Sequence, residues 1–515
     1  PIRLPKKVFG PFGYDGRDRT FFFFSYEGQR FLLPRGAVLS VVPSLAARRN
    51  APNEYARQVL NAFPLPNGED IVNASGALTG GANFTSAYSE PSASNATSVR
   101  VDHNFSQKVS IFGRYNYAPS RQQAREPRDL SQYNQLGTRT EYFTLGSTQV
   151  FTSNLVNEAR LNWSRNDGTS RNLFDGFGGG VAPPETVLFP PNALNGPRRG
   201  IITLNGLSLV AGNPFTTVSL GTDELFRNRQ ISVVDNLTWT RGAHQLKFGL
   251  DYRWLSPVIA PAGLIDNAQF ANLAAVYNNI ATSVLAIRGV GYTLQFPAYS
   301  FYAQDTWRAS QRLTFTYGLR WEITPAPSAR GDNQILTVKE IRDLNAVDFS
   351  YLELAPLGTP QFPTSYKNFA PRVGVSYQLM SRTGRELMLR AGWGLFYDLG
   401  QNGFGGVGFP YSFTRSLPNE PVPLRESVAV FPAPNFTLSP TNRASVITAD
   451  PNYRAPRVHQ WNLTLEQSLG KDQALSVAYV AAIGRDLLRT TTFSFLAAPD
   501  PANPTRPYSP NFSSL

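Results

Sequence analysis

Side chains able to do chemistry are thinly spread in this chain. There are three histidines, His103, His244 and His459, far apart in sequence. A zinc site needs three or four converging ligands, and no such grouping is visible. Cysteine is absent, so disulfides and thiolate metal sites are excluded. The run GFGGG at 176–180 superficially resembles a phosphate loop. It lacks the following Lys-Ser/Thr and the flanking βαβ pattern, so it reads as a flexible loop. Asp223, Glu224 and Glu420 are acidic groups in loops without calcium-ligand spacing. These residues predict no enzyme, no metal and no cofactor.

A second set of charges follows a pattern. Arg114, Glu158, Arg160, Lys247, Asp251, Arg253, Arg320, Glu322, Arg372, Arg390 and Glu466 alternate with apolar residues. Side chains in a strand alternate faces with period two. In Leu313–Thr324, Leu313, Phe315, Tyr317, Leu319 and Trp321 share one face, and Thr314, Thr316, Arg320 and Glu322 the other. Chemically, such charges suit ion pairing along a wall or docking of a charged segment against it.

The elements that position them are hairpins. Tyr299–Arg308 precedes Leu313–Thr324 across a tight turn at 309–311, with strands about ten residues long, the length that crosses a membrane when tilted. The unit recurs around turns at 106–108, 152–154, 241–244, the segment MSRTGRE, and 470–473. Between hairpins lie long segments rich in Pro, Gly, Asn and Ser, at roughly 118–140, 165–230, 255–298, 324–371, 398–458 and from 484 onward. They read as irregular loops. Short and long connections alternate, which predicts an all-β, transmembrane, antiparallel up-and-down β-barrel with short turns at one end and long loops at the other.

Composition agrees. Charged residues are 16% of the chain, below the usual quarter, and aromatics 12%, with 41 Gly and 40 Pro for turns. No run approaches 18 apolar residues, so no helix is long enough to span; barrel strands give a weaker hydropathy signal. Net charge is +12, but the basic residues are scattered, the densest clusters being Lys6-Lys7 and Arg48-Arg49. This argues for basic loops or attraction to anionic lipid headgroups, not for nucleic-acid binding. Near strand ends the apolar face carries Trp163, Trp239, Trp254, Trp307, Trp321 and Tyr397, candidates for aromatic girdles at the headgroup level. A soluble β-sandwich is the competing architecture, with strands that average shorter.

Several segments, in this order, resemble the Oar-like branch of TonB-dependent outer-membrane receptors, the acidobacterial type. They are DGRDRTFFFFSYEGQR at 15–30, VRVDHNFSQKVSIFGRYNY at 99–117, HQLKFGLDYRW at 244–254 and SFYAQDTWRASQRLTFTYGLRWE at 300–322. NFAPRVGVSYQL at 368–379, LRAGWGLFYD at 389–398, PRVHQWNLTLEQSL at 456–469 and SVAYVAAIGRDLLR at 476–489 complete the series. The resemblance implies a 22-stranded barrel closed by an N-terminal plug, with a TonB-contact segment on the plug side. About thirteen strands are legible, and 1–515 reads as a partial barrel domain without plug, regulatory-like domain or closing strands. Pro1-Ile2 reads as the tail of the segment entering the barrel.

The resemblance further implies the bacterial outer membrane as location, with short turns in the periplasm and long loops outside. Implied partners are outer-membrane lipid and lipopolysaccharide, the TonB complex through the plug region, and a substrate of unknown identity such as a saccharide, a peptide or another large ligand. The implied function is TonB-energised transport across the outer membrane. The alternative is a passive porin-like or adhesin-like barrel binding through its loops, and a third reading is a secreted carbohydrate-binding β-protein. Aromatic loops such as 404–413 would stack sugars or pack on one another.

Overall fold

Strict alternation forces a strand to present two chemically distinct faces, and thirteen strands align theirs in one barrel-type antiparallel sheet. The computed structural model describes the chain apart from residues 1–2, 5–13, 127–129, 192–195, 208–214, 340, 342–348, 399–408, 451–452, 503–506 and 515. Pro1, Ile2, Lys6 and Lys7 lie outside the described residues. The wall strands are Thr20–Pro43, Leu78–Asn104, Val109–Ala124, Gln132–Thr152, Leu155–Phe174, Phe215–Arg241 and His244–Pro261. Tyr292–Arg308, Leu313–Thr324, Ser365–Met380, Leu387–Tyr397, Arg457–Ser468 and Ala474–Arg485 continue the series. Each pairs antiparallel with the next.

Register places the apolar rows together. Val99, Tyr115, Phe143 and Trp163 are successive cross-strand partners, followed by Ile231 and Trp254. Leu145, Leu161 and Val233 form the adjacent row. Leu161, Val233, Phe248, Leu319, Val373 and Val477 all keep more than a third of their surface exposed. A band of large apolar side chains facing outward is stable only where lipid replaces water. Short turns close one end. Ser106 Oγ accepts from the Lys108 and Val109 amides at 3.1 and 3.2 Å, and Ser310 Oγ from Arg312 and Leu313 at 3.2 and 3.1 Å. The same local side-chain to backbone chemistry thus sets two turns.

The other end departs from the sequence reading. Strands expected to span about ten residues run to 24 residues in Thr20–Pro43 and 27 in Leu78–Asn104 and Phe215–Arg241. At about 3.3 Å per residue they project well beyond any bilayer. Parts of the segments read as irregular loops, within 165–230, 255–298 and 398–458, instead build a folded cap, while 331–364 and 422–456 carry little regular structure among the described residues. Arg198–Asn205, Leu264–Phe270, Ile280–Arg288 and Phe413–Pro421 pair in that order as a small sheet, the first two in parallel. Helices Leu45–Arg49, Glu54–Asn61 and Leu273–Tyr277 pack nearby, N-capped by Ser44, Asn53 and Asn272. Side-chain oxygens at these positions satisfy amides that the first helical turn leaves open.

The cap has its own core, in which Val59, Leu60, Phe63, Ile202, Leu204 and Phe270 are buried. Arg48 is buried within it and donates to the carbonyls of Pro43, Phe63 and Pro64. Burial lowers its pKa to about 10. GFGGG is a packing element, not a flexible loop. Gly178 has φ 68°, and a Cβ there would lie 2.7 Å from Pro64 and 2.8 Å from Phe84. Only glycine allows that approach in that conformation.

Candidate functional site

The charges that alternate with the lipid-facing rows occupy the inner face of the sheet. In Leu313–Thr324 and Tyr292–Arg308, Ser300 pairs with Glu322 and Tyr302 with Arg320, between outward rows led by Phe301 and Trp321. Arg320 is the hub of a three-charge cluster on this inner face. Its Nη2 lies 3.0 Å from Asp251 Oδ2, and its Nε donates to Glu322 Oε1 at 2.9 Å. Arg320 and Glu322 share Leu313–Thr324 while Asp251 lies on His244–Pro261, so the ion pair to Asp251 ties these two strands across the intervening Tyr292–Arg308.

The pairing is incomplete. Asp251 Oδ1 and Arg253 Nε are buried and have no hydrogen-bond partner. Glu158, Arg160 and Lys247 share the same face, and among the described residues no ion pair engages them. Arg114 donates to Ser98 at 3.2 Å. Arg372 lies 4.4 Å above the Phe396 ring, an attraction of a cation for the ring face. Arg390 meets Glu466 at 3.7 Å, with both side chains about half exposed. The fold therefore groups Asp251, Arg320 and Glu322, and pairs Arg390 with Glu466. It leaves Arg114, Glu158 and Arg160 as separate positions.

Aromatic residues on this inner face escaped the sequence reading. Phe112 lies over Gly146, Phe226 over Gly168 and Tyr302 over Gly249, each pair directly opposed across the ladder. Each glycine leaves room for a ring that covers its bare backbone. An aromatic one residue out of phase in an amphipathic strand, opposite a glycine, is the signal that would have found them. The Tyr302 hydroxyl also donates to Asn236.

The outer face carries Trp163, Trp239, Trp254, Trp307, Trp321 and Tyr397. Trp239 and Trp307 lie next to short turns. Trp163, Trp254, Trp321 and Tyr397 lie toward the cap. Trp321 donates to the Tyr366 carbonyl at 2.9 Å and stacks on Phe369. One outward carboxylate, Asp305, is also absent from the sequence reading. His244 Nδ1 lies 2.7 Å from it and the Tyr317 hydroxyl donates to it at 2.8 Å, with His244 stacked flat on Trp307. His103 contacts Thr20, and His459 stacks on Trp393, so the three imidazoles stay apart. Glu420 is held by Arg425 at 2.9 Å. The side chains of Asp223 and Glu224 lie outside the described residues. Of the aromatic loop 404–413, Tyr411 is buried against Leu294, Phe296 and Ile335, so that ring packs within the protein.

A family model described as Outer membrane beta barrel domain matches residues 48–515. No curated protein matches the chain at the sequence level. The outer membrane transporter YddB from Escherichia coli superposes with a TM-score of 0.50 at 12% identity, over 90% of this chain and 44% of that one. The ferripyoverdine receptor of the outer membrane of Pseudomonas aeruginosa gives a TM-score of 0.41 at 9% identity, over 90% of this chain and 48% of the receptor. The chain thus spans less than half the length of these solved structures.

Proposed function

Because the chain belongs to the outer membrane beta barrel domain family, and so resides in the bacterial outer membrane, we propose that it forms the wall of a TonB-dependent transport receptor of the Oar-like type. A plug segment would dock in the lumen, and TonB would pull on it to let substrate pass. One observation carries this reading: the inner face holds charge that the wall itself does not satisfy. Asp251 Oδ1 and Arg253 Nε are buried without partners, with Lys247 and Arg160 on the same face. A buried unpaired polar group costs roughly 1–3 kcal/mol, more when charged, so a partner or water entering the lumen is favoured. The substrate would be a saccharide, a peptide or another large ligand, taken at the cap.

Charge reversal tests the docking role. Arg320→Glu with Arg390→Glu in the intact receptor is expected to loosen the plug, raising sensitivity to bulky antibiotics and lowering uptake. Unchanged sensitivity together with unchanged uptake would overturn it. The folded cap favours a second reading, a passive barrel that binds ligands at its outer end. The upstream coding sequence separates the two: an in-frame plug and TonB-contact segment supports transport, and a signal peptide joined directly to the wall supports the passive barrel.

A further inference from the structure

The outward face changes character just beyond the aromatic row. Trp163 and its partners Phe143 and Ile231 belong to the apolar band. Two residues farther toward the cap, about 6–7 Å along the strand, the same face presents Arg165, opposite Glu141 and Arg229. The next position is Asp167, opposite Arg139 and Arg227. Asp167 is nearly buried beneath three guanidiniums, with Arg139, Arg165 and Arg227 at 2.5, 2.7 and 2.7 Å. Arg139 also reaches Glu141 at 3.2 Å.

Those carboxylates do not balance the patch. Arg229 is flanked by Arg165 and Ser256 on its two sides. Arg171 lies two outward positions beyond Asp167 and is exposed. Arg121 pairs across the ladder with Gly137 and Ala93. Among the described residues none of these three has a carboxylate partner. Arg121 and Arg30 also border a pocket of about 340 Å³ floored by Leu32, Pro91 and Ala93. Cationic heads thus stand beside an apolar recess on the same outward face, Arg121 lying six residues beyond Tyr115 of the aromatic row.

We infer that this patch is a binding site for the phosphorylated sugar headgroup of an outer-leaflet glycolipid of the lipopolysaccharide type. Its surface faces lipid and not the lumen, so a membrane component reaches it by lateral diffusion. Its excess charge is positive, and guanidiniums bind phosphate oxygens through two parallel N–H donors. The recess beside Arg30 and Arg121 takes the start of an acyl chain. The Asp167 cluster serves as scaffold, holding Arg139, Arg165 and Arg227 spread apart and outward.

Native mass spectrometry of the full chain in detergent tests the assignment, with bisphosphorylated lipid A and the same lipid stripped of both phosphates as probes. Wild type is expected to retain the phosphorylated lipid about tenfold more than the stripped one, as several basic contacts imply. The variant Arg121→Gln, Arg171→Gln, Arg229→Gln is expected to lose that preference while keeping the heat-modifiable gel mobility of a folded barrel. Inorganic phosphate at millimolar concentration should not displace the lipid. Equal retention of the two lipids by wild type would overturn the proposal whether or not the variant folds. So would an undiminished preference in a folded variant, displacement by inorganic phosphate, or a stronger response to an acidic peptide than to lipid A.

Discussion

Gly221→Ala should separate the cap from the wall. At Gly221 the strand Phe215–Arg241 changes partners: the residue is in register with both Asn172 of the wall and Arg199 of the cap sheet. Its φ is +120°, and a Cβ there would lie 2.0 Å from the Arg198 carbonyl oxygen. The obstruction is backbone, so no rotamer change relieves it, and the conformation itself is disfavoured for any residue with a Cβ. We expect a loss of about 3–5 kcal/mol in cap stability, the range for steric conflict combined with a special backbone conformation. The wall, held by independent ladders, should survive. Limited proteolysis should therefore cut the variant within 175–214 and 262–291 while its heat-modifiable mobility persists. A protease pattern identical to wild type would refute the claim.

Cap stability should also fall as pH rises, and Asp266 should be the cause. It is fully buried on the core face of Leu264–Phe270, beside Gly200 and Ala286 in register, and neither carboxyl oxygen has a hydrogen-bond partner. On the adjoining strands Arg198 pairs with Glu185 and Arg199 donates to Ser219, and among the described residues Arg288 makes no ion pair with Asp266. Burial therefore pushes the Asp266 pKa up, to about 7. For an acid whose folded pKa is raised, the stabilised form is the protonated one. Stability is greatest below the unfolded pKa near 4, declines as pH rises toward 7, and then levels off. Between pH 5.5 and 7.5 the cap should lose roughly 2 kcal/mol. Asp266→Asn should flatten this dependence, and Asp266→Val should stabilise the cap at pH 7.5 by removing a charge that nothing pairs. Thermal protease-resistance profiles at the two pH values measure both. A wild-type cap equally resistant at each pH would dismiss the role of Asp266.

The sequence made the wall legible because lipid on one side and water on the other impose period two on every strand. Leu313–Thr324 shows it almost without error, and its bounds in the structure are the same. The cap was illegible for the opposite reason. In Thr20–Pro43 only the last residues enter the cap, where Ser40, Val41, Val42 and Pro43 are consecutive buried residues with no alternation to read. The Pro- and Gly-rich segments looked like loops because their glycines serve close packing, as at Gly178. The pairing of Ile280–Arg288 with Phe413–Pro421 joins segments too distant for any local pattern to announce. Among the site residues, alternation singled out charges such as Arg320 and Glu322. It passed over Asp305 because one carboxylate within an aromatic row looks like an interruption, and over the Asp167 cluster because its strand was expected to have ended by residue 165.

The parallel pairing of Arg198–Asn205 with Leu264–Phe270 has a kinetic meaning. The two segments are separated by the whole hairpin of Phe215–Arg241 and His244–Pro261, so they meet only after that hairpin has closed. Phe413–Pro421 joins the same sheet from still farther along the chain. Contacts of such long sequence separation form late, because loop closure must come before they contribute. The order of assembly is thereby written into the topology: wall hairpins first, cap last. A chain stalled in insertion would display its unfinished cap as exposed core residues, so the cap doubles as a checkpoint on completion of the wall.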